Sequence, residues 1–179
     1  MFDWSALEPM IMREHGLAIF GLRLFDRAPA SHKACAEALG LADMPGPHLM
    51  SEPGGFGAAL WVEPGAFLLL GDSVHPSSAR ALRETLAEIA MLSDLSSAFA
   101  TFRLAGESAI AILASGCPAP LDAQSFAAID AIASHYNEIA IRIIKEKAAP
   151  NAAPDYLVLC ERGHGANLMA LLQGAARAL

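Results

Sequence analysis

The chemistry that a cysteine could perform is the first question raised by the stretch ILASGCPAPLD, which covers residues 112 to 122. Cys117 stands in it between Gly116, a residue that stops helices, and Pro118. A thiol held on such a stiff turn can act as a nucleophile, as a metal ligand or as a small apolar side chain in a core. A nucleophilic thiol needs a pKa lowered by a helix N-terminus, a cation or a histidine.

The surroundings of Cys117 favour the packing role. The residue follows the C-terminus of a predicted helix, where the partial negative charge disfavours a thiolate. No Lys, Arg or His stands between Arg103 and His135 in the sequence. We therefore expect Cys117 to fill space in the core. The alternative is a thiol-dependent enzyme in which a distant histidine folds back onto Cys117.

The spacing of histidines and cysteines predicts no metal site and no disulfide framework. No two of the six histidines stand four residues apart as in a zinc helix, and the three cysteines form no CxxC pair. An odd number of cysteines argues against a disulfide scaffold. The histidines are His15, His32, His48, His75, His135 and His164, and the cysteines are Cys35, Cys117 and Cys160.

The remaining motifs predict turns rather than catalytic or cofactor-binding sites. Gly163-His164-Gly165 resembles the start of a dinucleotide fingerprint but lacks the third glycine. Pro53-Gly54-Gly55 lacks the Lys-Ser/Thr pair of a phosphate loop. Asp94 is a candidate general base, yet a carboxylate in such a serine-rich stretch is more often a turn or cap residue. We predict no catalytic, cofactor-binding or metal-binding residue in this chain.

The composition predicts a folded chain with more apolar surface than a monomer needs. Its 179 residues are enough for one domain over residues 1–179, with a possible subdivision near residues 91–95. Hydrophobic residues make up 54% of the chain and charged residues 17%. The longest apolar stretch, residues 108–121, is broken by glycine and prolines before it reaches bilayer length. The apolar surplus is then most simply explained by burial against another protein.

The net charge limits the class of partner that the chain can bind, and the first residues indicate its compartment. A net charge of −7 and scattered basic residues argue against nucleic-acid binding. Asp3, Glu8 and Glu14 stand where a secretory signal would need a basic start and an unbroken apolar run. Reduced thiols are typical of the cytosol. We expect a cytoplasmic protein with no membrane span.

Period-two and period-3.6 patterns alternate along the sequence and predict an α+β domain in which helices pack on one face of a largely antiparallel sheet. Strands are predicted at 17–25, 57–62, 66–71, 100–104, 139–144 and 155–160, with a hairpin turn at 63–65. Helices are predicted at 31–39, 78–89, 107–115 and 166–178. Gly116 is expected to end the third helix in a left-handed conformation. Residues 44–57, dense in Pro and Gly, are predicted to form a surface loop.

Two stretches stand out by the order of their segments: LWVEPGAFLLLG, at residues 60–71, and the stretch from LSDLSS to GCPAPLD, at residues 92–122. This order resembles the gamma subunit family of heterotetrameric sarcosine oxidase. The matching positions are Trp61, Pro64, Phe67, Leu68, Leu69, Asp94, residues 99–104, Gly106 and Gly116-Cys117-Pro118.

The chain departs from that family at several positions, which marks it as a divergent member. Glu63 stands in place of a glycine, Gly65-Ala66 in place of an acidic pair, and Phe67 in place of a tryptophan. Glu107 replaces a proline, and the match is weak after Phe126. A gamma-like subunit of a related N-methyl amino acid dehydrogenase fits these departures as well as sarcosine oxidase does.

The resemblance implies an assembly subunit with no chemistry of its own. Its fold would be that of the folate-binding, aminomethyltransferase-like domain, without catalytic residues or a cofactor. The partners would be alpha, beta and delta subunits, which would carry FAD, FMN, NAD, tetrahydrofolate and zinc. The apolar surplus, and not the resemblance, predicts that the isolated chain tends to self-associate. The alternatives are a stand-alone folate-binding protein that holds the pterin with Asp94, and the thiol enzyme that uses Cys117.

Overall fold

A computed structural model describes residues 10–14, 16–72, 76–121, 128–146 and 155–179. Outside these ranges lie His15, His75, Phe126, the acidic residues Asp3 and Glu8, and residues 147–154, between the last two predicted strands. The described chain is an α+β fold of nine strands and four helices, which confirms the predicted fold class.

The strands are β1 (Met10–Glu14), β2 (Leu17–Leu24), β3 (Ala58–Glu63), β4 (Ala66–Asp72), β5 (Ala90–Asp94), β6 (Phe99–Ala105), β7 (Ala131–Tyr136), β8 (Ile139–Lys145) and β9 (Tyr156–Glu161). The helices are α1 (Pro29–Leu39), α2 (Pro76–Leu86), α3 (Ala109–Ala114) and α4 (Gly165–Ala178). All strand pairings are antiparallel, but the strands form two sheets where the sequence pattern predicted one.

The chain divides into two compact units. The first unit comprises Met1–His15 together with Ala98–Leu179, and the second comprises Gly16–Ser97. The subdivision considered near residues 91–95 lies close to the second boundary. The assignment of residues 1–179 to one domain stays a prediction.

The first unit is built on a five-stranded sheet in the order β1-β6-β9-β8-β7. Alternate residues of these strands pack with α3 and α4 in one apolar cluster, so both helices lie on the same face. Each fully buried Leu, Ile or Phe in such a cluster stabilises the fold by roughly 1.5–3 kcal/mol. The largest of these side chains are Phe102, Leu104, Ile112, Leu113, Ile143 and Leu168.

The second unit is built on a four-stranded sheet in the order β3-β4-β2-β5. The even-numbered residues of β2 pack with α1 and α2, as the apolar alternation in the sequence predicts. The hairpin between β3 and β4 turns through Pro64 and Gly65, and Gly65 has the positive φ of 78° that the third residue of a type II turn requires. The predicted turn is confirmed.

The predicted helices exist but differ at their ends. α1 begins at Pro29, where the fixed φ of proline suits the first helical position, and ends at Leu39, followed by Gly40 as a cap with a left-handed φ of 70°. α2 ends at Leu86, three residues earlier than predicted, because the chain turns and β5 begins at Ala90. Among the described helices, none is both long enough and apolar enough to cross a bilayer.

Candidate functional site

Cys117 lies in the core of the first unit, as the local sequence predicts. The residue is 7% exposed and belongs to the apolar cluster beneath α3 and α4. Its backbone N–H donates to the carbonyl of Leu113 at 3.0 Å, and its thiol lies 3.2 Å from the hydroxyl oxygen of Ser134 on β7. Within the described part of the chain, Ser134 is its only side-chain hydrogen-bond partner. A serine hydroxyl is too weak a base to remove the thiol proton, as a histidine could. This hydrogen bond therefore does not activate Cys117 as a nucleophile.

Gly116 has a role that the sequence did not reveal. The prediction of a left-handed stop is wrong, because Gly116 is not among the glycines with positive φ. A Cβ built on it would stand 2.7 Å from the Cε1 and Cζ atoms of Tyr136. The glycine is therefore needed so that an aromatic ring can lie against the backbone at the end of α3.

The hydroxyl of Tyr136 ties the end of α3 to the β7–β8 hairpin. It donates to the carbonyl of Ile112 at 3.0 Å and lies 2.9 Å from the hydroxyl of Ser115. The backbone N–H of Asn137 donates to the carbonyl of Gly116 at 2.7 Å. These bonds satisfy carbonyls that a helix C-terminus leaves free. The Gly-Cys-Pro stretch therefore packs the end of α3 against the β7–β8 hairpin. The residue in the sequence that could have indicated this role is the tyrosine directly before the Asn-Glu turn.

Cys35 and Cys160 are inert for a different reason. Both are buried, and burial raises the pKa of each thiol from its ordinary value of 9.0 to about 11. At Cys160 the charge of Arg13 opposes this rise and that of Glu161 adds to it. All three cysteines are free thiols. A thiol that stays protonated at neutral pH is a poor nucleophile.

Asp94 holds its own turn at the end of β5. Its Oδ1 accepts a hydrogen bond from the backbone N–H of Ser96 at 2.9 Å, and the hydroxyl of Ser96 accepts from the N–H of Ile19 at 3.0 Å. The hydrogen bonds from Ser96 lower the pKa of the Asp94 carboxyl, with a smaller effect from the charge of Arg83. The side chain is exposed. It is an ionised turn residue, without the raised pKa of a general base.

The described histidines are not gathered into a site. His32 contacts the carbonyl of Ala28 at 3.1 Å, and the ring of His48 lies 5.9 Å from that of Trp61. His135 is exposed on β7, and His164 belongs to a short 3₁₀ turn before α4. The described residues contain no group of three or more metal-ligating side chains.

The two glycine motifs form turns. Gly54 and Gly57 exchange backbone hydrogen bonds of 2.8 and 3.2 Å, which uses amides that a phosphate would need. Gly165 is buried, and a Cβ built on it would stand 2.7 Å from the Cβ of Ala100. This glycine lets the start of α4 approach β6, a packing role that requires no nucleotide.

The hairpin around Trp61 and Phe67 belongs to the core of the second unit. Phe67 is 2% exposed, and Trp61 is half-buried against the same cluster. The side chain of Phe67 faces α1, and its ring lies 6.2 Å from the ring of His32. That the chain has no catalytic or cofactor-binding residue stays a prediction.

The fold is similar to that of a chain in a solved structure of the heterotetrameric sarcosine oxidase from Corynebacterium sp. U-96, in complex with pyrrole 2-carboxylate. The likeness has a TM-score of 0.81 at 22% sequence identity and covers 97% of this chain and 89% of that chain. A second, weaker likeness is to the regulatory subunit of aspartate kinase from Thermus flavus, with a TM-score of 0.44, 15% identity, and coverage of 94% and 98%. No protein-family model and no curated protein matches the sequence.

Proposed function

We propose that this chain is a gamma-type accessory subunit of a hetero-oligomeric, sarcosine-oxidase-like flavoenzyme. The observation that carries the proposal is the extent of the fold likeness, which covers 97% of this chain and 89% of the chain it matches. A likeness confined to one motif would leave most of the chain without a counterpart. The Trp61 to Leu69 segment and the Gly116-Cys117-Pro118 turn, which resemble the gamma family, support the choice of subunit.

The state of the chemically capable side chains supports a role in assembly. Cys117 is packed in a core, Asp94 holds a turn, and the thiols of Cys35 and Cys160 stay protonated near neutral pH. Each of these groups already has a structural role. A subunit that stabilises its partners has no need of a reactive group on its own surface.

In this proposal the chemistry is done by the partner subunits. Alpha, beta and delta chains would bind FAD, FMN, NAD, tetrahydrofolate and zinc, while this chain binds none of them. The amine substrate would then meet residues of another chain. We further propose that the complex is cytoplasmic.

Co-expression tests the proposal. A tagged copy of this chain is expressed together with the alpha, beta and delta chains of a sarcosine oxidase from the same genome, and affinity purification is followed by an absorbance spectrum. We expect stoichiometric co-purification, a flavin spectrum only in the complex, and poor accumulation of the partners when this chain is omitted.

Purification of the tagged chain alone is the matched control. It should give a colourless protein without amine oxidase activity. A chain that ignores all three partners, or that carries its own flavin, would contradict the proposal.

A further inference from the structure

The strand β5 forms one edge of the sheet in the second unit, and two hydrogen bonds fix which way its backbone groups point. The N–H of Phe25 donates to the carbonyl of Ile89 at 3.0 Å, and the N–H of Leu95 donates to the carbonyl of Ile19 at 2.8 Å. Both bonds join odd-numbered residues, in the same register as the rest of the β2–β5 ladder. In an antiparallel ladder, hydrogen-bonded and non-hydrogen-bonded residue pairs alternate.

The even-numbered residues of β5 therefore direct their backbone groups away from β2. Ala90, Leu92 and Asp94 present their N–H and C=O groups to the outer edge of the sheet, where the described part of the chain places no further strand. Beside this edge, Met91 is 52% exposed and Phe25 is 63% exposed. An unpaired edge strand next to exposed apolar side chains is a template for pairing with another chain.

The side chain of Arg83 binds the backbone in the middle of this edge strand. Its Nε donates to the carbonyl of Leu92 at 3.3 Å, across nine residues of sequence. The residue projects from α2, whose buried side chains Leu82 and Leu86 hold the helix against the same sheet. The positive charge of Arg83 also favours the ionised form of Asp94, which is the next residue of β5 whose backbone groups point away from β2. Arg80, one turn earlier on α2, instead pairs with Glu84 at 3.0 Å.

We propose that Arg83 keeps β5 from pairing with β5 of a second copy of this chain. An antiparallel pairing centred on Leu92 would place each Leu92 opposite its counterpart and Met91 opposite Ser93. That arrangement needs the Leu92 carbonyl, which the guanidinium occupies. A guanidinium is always charged, and burying it in a strand interface without an opposite charge is unfavourable.

The test compares Arg83→Ala with Arg80→Ala by sedimentation velocity at equal concentrations, after circular dichroism has shown that both variants are folded. We expect the mass of Arg83→Ala to rise at least about twofold, to a dimer or larger, while Arg80→Ala matches the wild type. The double variant Arg83→Ala/Met91→Lys places a new charge on the exposed face of the edge strand and should return the mass to that of the wild type.

Amide hydrogen exchange in the wild type gives a second measurement that does not depend on any variant. The outward-pointing amide of Leu92 should exchange much faster than the amides of Met91 and Ser93, which face β2. An unchanged mass of Arg83→Ala, association that Met91→Lys does not reverse, or a Leu92 amide as protected as its neighbours would each overturn the proposal.

Discussion

The ring of Tyr136 occupies the space that a side chain at residue 116 would need. The ring atoms Cε1 and Cζ lie 2.7 Å from the position of a Cβ on Gly116. Tyr136 is 2% exposed, and its hydroxyl is held by the carbonyl of Ile112. The ring therefore has little freedom to move aside.

Gly116→Ala should lower the free energy of unfolding by about 1–3 kcal/mol, because overpacking in a closed site forces a backbone or ring shift. Urea unfolding measures the change. The control is Gly174→Ala on α4, where a Cβ meets nothing within 4 Å. That variant should be stabilised by up to roughly 1 kcal/mol through helix propensity. Equal stabilities of Gly116→Ala and the wild type would show that the ring does not close the site.

Cys117→Ala should cost about 1 kcal/mol of stability, since a small buried group and its weak hydrogen bond to Ser134 are lost. Activity of the reconstituted complex should stay within about a few-fold of the wild type. A fall by orders of magnitude with folding intact would favour the thiol enzyme. Iodoacetamide labelling of the native chain gives a parallel readout, and a rate no faster than that of free cysteine is expected.

The free energy of unfolding should fall as the pH rises from about 9 to about 11, because the pKa values of Cys35 and Cys160 are raised to about 11 in the folded chain from 9.0. A group with a raised folded pKa binds its proton more tightly when folded, so its contribution is complete below the unfolded pKa and is lost above it. Urea titrations across this range measure the fall.

The Cys35→Ala/Cys160→Ala double variant is the control for the alkaline effect. It should be less stable near neutral pH because of the lost packing, but its stability should depend less steeply on pH than that of the wild type. Parallel curves for the two proteins would mean that other groups govern alkaline unfolding. Tyr156, whose pKa is also raised by burial, would be the next residue to replace.

Asp94→Ala should weaken the turn after β5 and cost less than about 1 kcal/mol, because the carboxylate is exposed to solvent. Its lowered folded pKa stabilises the chain above the ordinary value of 3.8, and this contribution is lost as the pH falls through the folded pKa. Calorimetric titration with tetrahydrofolate should give no binding heat for either protein. Binding by the wild type that Asp94→Ala abolishes would establish the folate-binding alternative.

The sequence predicted those elements whose signals are local. Apolar alternation marked β2, and Pro64-Gly65 marked the hairpin between β3 and β4. The strands β1, β5 and β7 were missed. β1 is a five-residue edge strand with charged residues, and β5 follows α2 without a glycine or proline to separate them. β7 carries Ala, Ser and His residues, which give no clear apolar face.

The division into two sheets and the role of Gly116 depend on contacts between distant residues. The first unit joins β1 to β6 across more than eighty residues of sequence, and no local pattern encodes that pairing. Gly116 was predicted as a helix stop because glycines after helices usually have positive φ. Its actual reason is the ring of Tyr136, twenty residues later, which no local rule connects to it. The packing of Cys117 was predictable because its own neighbours lack any activating charge.

The strand order of the first unit also sets the order in which the chain can fold on the ribosome. β9 lies between β6 and β8, although it is the last strand to be synthesised. The second unit, residues 16–97, is synthesised before β6 and can fold while β9 is still to be made, since domains fold as units during synthesis. The first unit cannot complete its sheet until β9 is made, because β9 is the neighbour that β6 and β8 share. A chain truncated before Tyr156 would therefore have one complete unit and two open strand edges in the other, which would make it a substrate for chaperones.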